Sequence, residues 1–310
     1  MNNIVNSFIS LYHKFTAKKP ERFYTIDGFN MDLGEGHMLS LLQKSHPMYD
    51  RFVPFLGVLS ERYKNVGKKK YLIDIGANVG DTTAALIRHT SADVICVEPT
   101  KKFYDLCKKN IQGFGEKYAS RVTLIQGYIS SQEHESFSSI VINGTAVKQS
   151  TNGPAEAPTF TIPSLCNKIK ISLADVVLVK SDTDGYDSDC IQSFGESLKH
   201  ISPLLFWENE VDSIEQLDKY LNMVDYLLKC GYDDFFVFDN FGNYLCHVGS
   251  DGFKEVNYYL GRILRGNSTR SFYYVDVLAS KKENVHICKK TIADYLEVFN
   301  NNYHKLKDDQ

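Results

Sequence analysis

Apolar residues run along this chain in two rhythms. Up to about residue 65 they recur at helical spacing. Ile4, Phe8, Leu11 and Tyr12 share a face of a helix predicted over Asn3–Phe15, and Tyr49, Phe52, Val53, Leu56, Leu59 and Tyr63 stripe a second over Met48–Tyr63. From residue 70, short apolar runs alternate with amphipathic stretches. Tyr71–Ile75, Val94–Val97, Val122–Ile125, Val176–Lys180 and Leu204–Trp207 read as buried strands; Thr82–His89, Lys101–Gln112, Asp187–Lys199 and Ser213–Cys230 read as helices. Strands separated by helices imply a mainly parallel sheet with helices on both faces. Phe235–Phe238, Tyr244–Val248 and Phe272–Ala279 add terminal strands, partly antiparallel. One stretch breaks the alternation: Ser138–Gln149 places Asn143-Gly144 between two strand-like runs, a hairpin signal. The Thr-, Asn-, Gly- and Pro-rich loop Ser150–Pro158 that follows either lies over the active site or decorates the surface. The expected organisation is an N-terminal helical segment over 1–66, an α/β domain over 67–290 with the hairpin insert at about 136–160, and a C-terminal helix or tail over 291–310.

Charge and cysteine content narrow the function classes. Lys and Arg number 35 against 38 Asp and Glu, a net charge of −3, so no nucleic-acid footprint is expected. Lys68–Lys70, Lys101–Lys102 and Lys108–Lys109 read as solvated faces. The seven cysteines are odd in number and none forms a C-x-x-C pair, which suits reduced thiols in a cytoplasmic protein and argues against zinc. No apolar run approaches the ~18 residues of a membrane span, and no leader peptide is expected.

The densest chemical signal is Asp74-Ile75-Gly76-Ala77-Asn78-Val79-Gly80-Asp81-Thr82, where a buried strand gives way to a glycine turn and a helix. The spacing Gly76-x-x-x-Gly80 departs from the G-x-G-x-x-G of dinucleotide folds, and no phosphate-binding G-x-x-x-x-G-K-[ST] follows a strand. Asp74, ahead of the turn, suits an ammonium group better than a pyrophosphate. Glu98, before Pro99 at the end of the second predicted strand, is placed to accept both hydroxyls of a ribose. Gly127 and Tyr128 would border an adenine. Together these features point to S-adenosylmethionine.

Tyr71–Thr82 and Glu98-Pro99 resemble the first two motifs of class I methyltransferases. Asp74–Gly80, Thr161-Ile162-Pro163-Ser164-Leu165 and Lys180-Ser181-Asp182-Thr183-Asp184-Gly185 resemble, more narrowly, the FkbM family of methyltransferases. The resemblance covers roughly residues 68–210. That family usually reads K-x-D-x-E-G at the last motif, with an apolar residue in the second position; here Asp184 and Ser181 stand instead. The resemblance implies a Rossmann-like, seven-stranded fold and methyl transfer to oxygen, often on a sugar or polyketide.

A hydroxyl acceptor needs a general base or a metal. In an open parallel sheet the candidates sit at the carboxyl ends of the strands. Asp182 is the first choice as base or orienting carboxylate and Glu208 the second, with Lys180 paired to one of them. Asp182, Glu208 and Asn209 also form an oxygen set suited to Mg²⁺. The expected partner is a glycan or small-molecule acceptor. A nicotinamide-dependent oxidoreductase and a non-catalytic binding module on the same fold are the competing readings.

Overall fold

The computed structural model describes residues 19–63, 69–132, 137–142, 145–150, 155–265 and 272–308. The helix expected over Asn3–Phe15 and the Asn143-Gly144 turn lie outside them. The chain forms strands β1 (Phe23–Ile26), β2 (Phe29–Asp32), β3 (Tyr71–Ile75), β4 (Asp93–Val97), β5 (Val122–Ile125), β6 (Tyr128–Ile129), β7 (Phe137–Ile142), β8 (Thr145–Ser150), β9 (Thr159–Phe160), β10 (Val176–Ser181), β11 (Leu204–Glu210), β12 (Tyr232–Asp239), β13 (Tyr244–Val248) and β14 (Tyr274–Lys281).

Eight of these strands make one sheet in the order β13-β12-β14-β11-β10-β3-β4-β5. The pairs from β11 to β5 are parallel, and β14 runs antiparallel between β11 and β12. Seven strands were expected. The eighth is β13, which pairs antiparallel with β12 across the turn at Gly242 and extends that edge. Successive residues on a strand face opposite ways. Leu72, Cys96, Leu178, Phe206 and Leu278 therefore pack on one face of the sheet, and Ile73, Val97, Val179, Trp207 and Val277 on the other.

The first face is covered by helices Val53–Arg62, Asp81–Ile87 and Lys101–Gln112 and by part of Val285–Asp308; the second by Ile162–Ile169, Asp187–Gln192, Ile214–Lys229 and Ser250–Gly261. Ile162–Ile169 starts at a reciprocal cap: Thr161 accepts from the Ser164 N–H while the Ser164 hydroxyl bonds the N-cap backbone.

The N-terminal segment is not wholly helical as expected. β1 and β2 form a hairpin about Asp27-Gly28, both at positive φ, conformations that short polar residues and glycine tolerate. The segment is part of the main core, with Phe29, Met31, Leu33, Phe52 and Leu56 at most 5 % exposed. Phe52 sits 4.4 Å from Phe238 and 5.2 Å from Tyr295 between ring centroids, which pins the segment to the far half of the sheet. β7 and β8 pair as a hairpin, with Ile142 opposite Thr145. From residue 155 on the chain lies against β6: β9 pairs with it, and the Tyr128 N–H donates to the Pro158 carbonyl.

Candidate active site

β3 and β10 run side by side in the middle of the sheet, so their carboxyl ends open together on one edge. After β3 the chain turns sharply through Gly76 (φ +75°), Asn78 (φ +47°) and Gly80 (φ +85°) into the helix Asp81–Ile87. Gly76 is there because nothing larger fits. A Cβ at this position would lie 1.9 Å from the carbonyl oxygen of Asp182 on the neighbouring chain segment.

A cavity of about 260 Å³ opens at this edge. Its first wall is made by Gly76, Asn78, Asp81 and Thr82 from the glycine turn and helix, Glu98 and Pro99 after β4, and Gly127 and Tyr128 at β6. Glu98 is 4 % exposed. One of its oxygens accepts the Asn78 N–H at 2.9 Å and the other the Thr100 N–H at 2.8 Å. Burial pushes its carboxyl up to about 7, and the two backbone donors only partly oppose this. Glu98 thus does two jobs: it braces the start of the helix Lys101–Gln112 and it faces the cavity. A carboxylate has about four lone-pair sites, so two backbone donors leave capacity for a ligand diol. Ala77 and Gly80 shape the turn rather than line the cavity.

The second wall comes from the ends of β10 and β11 with β14: Lys180, Asp182, Asp184, Glu208, Glu210 and Asp276. Lys180 is buried, 3.1 Å from Asp182 Oδ2 and 3.5 Å from Asp74 Oδ1. Burial alone would push its ammonium down, but Asp182, Asp74 and Asp81 outweigh that and hold it above the ordinary lysine value. Asp74 itself lies behind the wall, 1 % exposed, accepting from the Thr83 hydroxyl and paired with Lys180. The structure therefore places Asp74 against a resident ammonium, not facing a ligand's.

Asn209 does not join Asp182 and Glu208. Strand alternation turns it to the opposite face, where it is fully buried, accepts from Trp207 Nε1 and donates to Asn257 Oδ1. The oxygen set proposed for Mg²⁺ is thereby broken, and among the described residues no three His, Cys, Asp or Glu side chains are grouped to hold a metal. Ser181, unusual for the motif, donates at 2.6 Å to Asp187, whose same oxygen also accepts the Thr183 N–H. Asp187 is thus committed to the loop, as is Asp189 through Ser131. His200 and His247 lie away from the cavity lining.

The chain belongs to the FkbM methyltransferase family. Residues 74–233 match its model, described as the methyltransferase FkbM domain, which is just over half of the chain. These enzymes use S-adenosylmethionine, and the sheet order here, with one antiparallel strand inserted beyond β11, is the class I Rossmann-like arrangement.

Curated relatives include carboxy-S-adenosyl-L-methionine synthase of Escherichia coli O17:K52:H18, 27 % identical over 108 residues, and that of Enterobacter sp. strain 638, 26 % identical over the same length. The match takes in 34 % of this chain and spans 42 % of those relatives. Similar solved structures include an O-methyltransferase from Bacillus cereus in complex with S-adenosylhomocysteine (TM-score 0.43, 14 % identity, 79 % of this chain and 89 % of that one). Another is a methyltransferase from Geobacter sulfurreducens with the same ligand (TM-score 0.39, 13 % identity, 78 % and 96 %).

A third wall of the cavity stands outside the family motifs. His37, Leu42, Tyr49 and Asp50 come from the N-terminal segment, Asn240 and Phe241 from the β12–β13 turn, and Tyr273 and Tyr274 from the start of β14, ahead of Asp276 in the second wall. Tyr274 donates to Tyr49 across the two segments at 3.4 Å, and His46 stacks on Phe241 at 4.1 Å. Asp276 stands opposite Glu208 in the β11–β14 register. The sequence signal that could have found Asp276 is that register, which becomes readable only once the two strands are known to pair.

Proposed function

We propose that this protein transfers a methyl group from S-adenosylmethionine to a hydroxyl of a sugar, polysaccharide or glycosylated metabolite. The observation that carries the reading is one continuous cavity running from Glu98 to Asp182 and Glu208. It joins a carboxylate suited to a ribose diol to carboxylates suited to a hydroxyl proton.

The turn residues Gly76 and Asn78, with Asp81 and Thr82, Glu98, Pro99, Gly127 and Tyr128, would hold the cofactor. When bound, the cofactor supplies a methyl group already activated on a sulfonium. Glu98 accepts from the ribose hydroxyls. Lys180 fixes Asp182 through Oδ2, which leaves Oδ1 for the acceptor hydroxyl and its proton. Glu208 is the second candidate base. Burial first, then the neighbouring carboxylates, push its carboxyl well above the usual range. Because the Mg²⁺ oxygen set is broken, no step is routed through a metal. The proposal extends to a cytoplasmic setting, supported by seven cysteines that are all free thiols.

Calorimetry with S-adenosylhomocysteine, followed by mass spectrometry of candidate glycans incubated with protein and cofactor, tests the proposal. Micromolar binding, about −8 kcal/mol, and a gain of one methyl on a glycan are expected. Absence of both binding heat and a thermal shift would reject the methyltransferase reading.

A further inference from the structure

The cavity is far more acidic than its cofactor requires. Among the described residues eight carboxyl groups and a single lysine line it. The cofactor brings one net positive charge, and Lys180 is already matched by Asp74 and Asp182. Asp50, Glu208, Glu210 and Asp276 line the cavity together with Tyr49 and Tyr274, and Glu208 and Glu210 stand opposite Asp276 and Tyr274 in the β11–β14 register. Burial, then repulsion by Asp50 and Asp182, push the Asp276 carboxyl well up.

A second observation points the same way. Asn240 lines the cavity and is 6 % exposed, and its Oδ1 accepts no hydrogen bond. A buried acceptor left without a donor costs about 1–3 kcal/mol, which a ligand donor at this place would recover.

We propose that the acceptor carries a protonated amine, seated between Asp276, Glu208 and Asn240 Oδ1, beside the hydroxyl that receives the methyl group. This substrate class rests on the methyl-transfer reading above. An ammonium offers three donors and no acceptor, the complement of a wall built from carboxylates and an amide oxygen. A neutral polyol could donate to these acceptors but would leave the carboxylates repelling one another. An anionic acceptor would add to that repulsion. The rings of Tyr49 and Tyr274 favour a cation further.

The test titrates the full chain with three pyranosides of one shape, the methyl glycosides of glucosamine, N-acetylglucosamine and glucuronic acid, each with and without S-adenosylhomocysteine. The glucosamine glycoside should bind at least about ten-fold more tightly than its N-acetyl form, and the glucuronide should give no heat. Asp276→Asn and Asn240→Leu should each erase most of that preference while homocysteine-ligand affinity stays at the wild-type value, which also shows that the variants fold. Equal affinity for the amine and its N-acetyl form, no binding of the amine, or a preference untouched in both variants would overturn the proposal. Loss of S-adenosylhomocysteine binding by the wild type would instead overturn the methyltransferase reading, since the amine preference is read separately from the titrations without it.

Discussion

At the scale of single residues, Glu98 and Asp182 carry the most specific expectations. Glu98→Ala removes the acceptor for two backbone N–H groups and for the ribose, and should weaken S-adenosylhomocysteine binding by about 1–3 kcal/mol by calorimetry. Its carboxyl ionises at about 7 in the free protein. Ribose hydroxyls bond best to the ionised form, so affinity should fall as pH drops below 7, by up to about ten-fold per unit. Titrations at pH 6 and 8 that agree would contradict this role for Glu98. Asp182→Asn keeps shape and removes charge, so cofactor affinity should hold while kcat falls by about 10²–10⁴. A fully active Asn variant would move the search for the base to Glu208. Gly76, Glu98 and Lys180 were legible in the sequence because short motifs fix them locally. Asp74 was misplaced because its partner, Lys180, lies on a strand 106 positions further along, and sequence spacing does not report that pairing. Asn209 was misplaced by ignoring the alternation of a strand that runs on to Glu210.

At the scale of elements, the sheet strands were readable because each is a short, nearly continuous apolar run, the form that burial on both faces demands. The hairpin β1–β2 was not. Its strands are four residues each, and their apolar positions fit a helical period as well. Residues 155–158, ahead of β9, brace β6: Glu156 accepts from the Tyr128 hydroxyl and Pro158 from the Tyr128 N–H. The third wall depends on a close approach between elements. Gly242 has φ +87°, and a Cβ there would lie 2.1 Å from the Met48 carbonyl oxygen. Gly242→Ala should therefore push the segment bearing Tyr49 and Asp50 off the β12–β13 turn. We expect a stability loss of about 1–3 kcal/mol in denaturant titrations, a raised KM for the acceptor and an unchanged affinity for S-adenosylhomocysteine. A weakened cofactor with normal acceptor KM would show that the two walls are not separable in this way.

At the scale of the whole molecule, buried carboxyls set the pH dependence of stability. Burial raises Glu98 and Asp187 to about 7. Both hold a proton more tightly folded than unfolded, where such groups ionise near 4. Their ionisation therefore opposes folding: the cost is absent below about pH 4, grows through pH 4–7 and is complete above 7. The melting temperature should be higher at pH 6 than at pH 8 by scanning fluorimetry, and a rise toward pH 8 would mean that other groups dominate. Saturating S-adenosylhomocysteine, at about one hundred times its Kd, should add about 2.7 kcal/mol.

The cavity's walls also differ in when the chain can supply them. The glycine turn, Glu98 and Tyr128 lie within one stretch, whereas Tyr49 must wait for Tyr274, 225 positions later, before the acceptor end can close. On the ribosome, where chains emerge at roughly 5–20 residues per second, the hydrophobic N-terminal segment is made first and spends at least ~10 s without the strand it will lean on. That interval, more than any feature of the finished molecule, is when Phe52 and its neighbours are open to the wrong partner. A nascent chain halted before β14 would present this face to chaperones while already carrying every residue assigned to the cofactor.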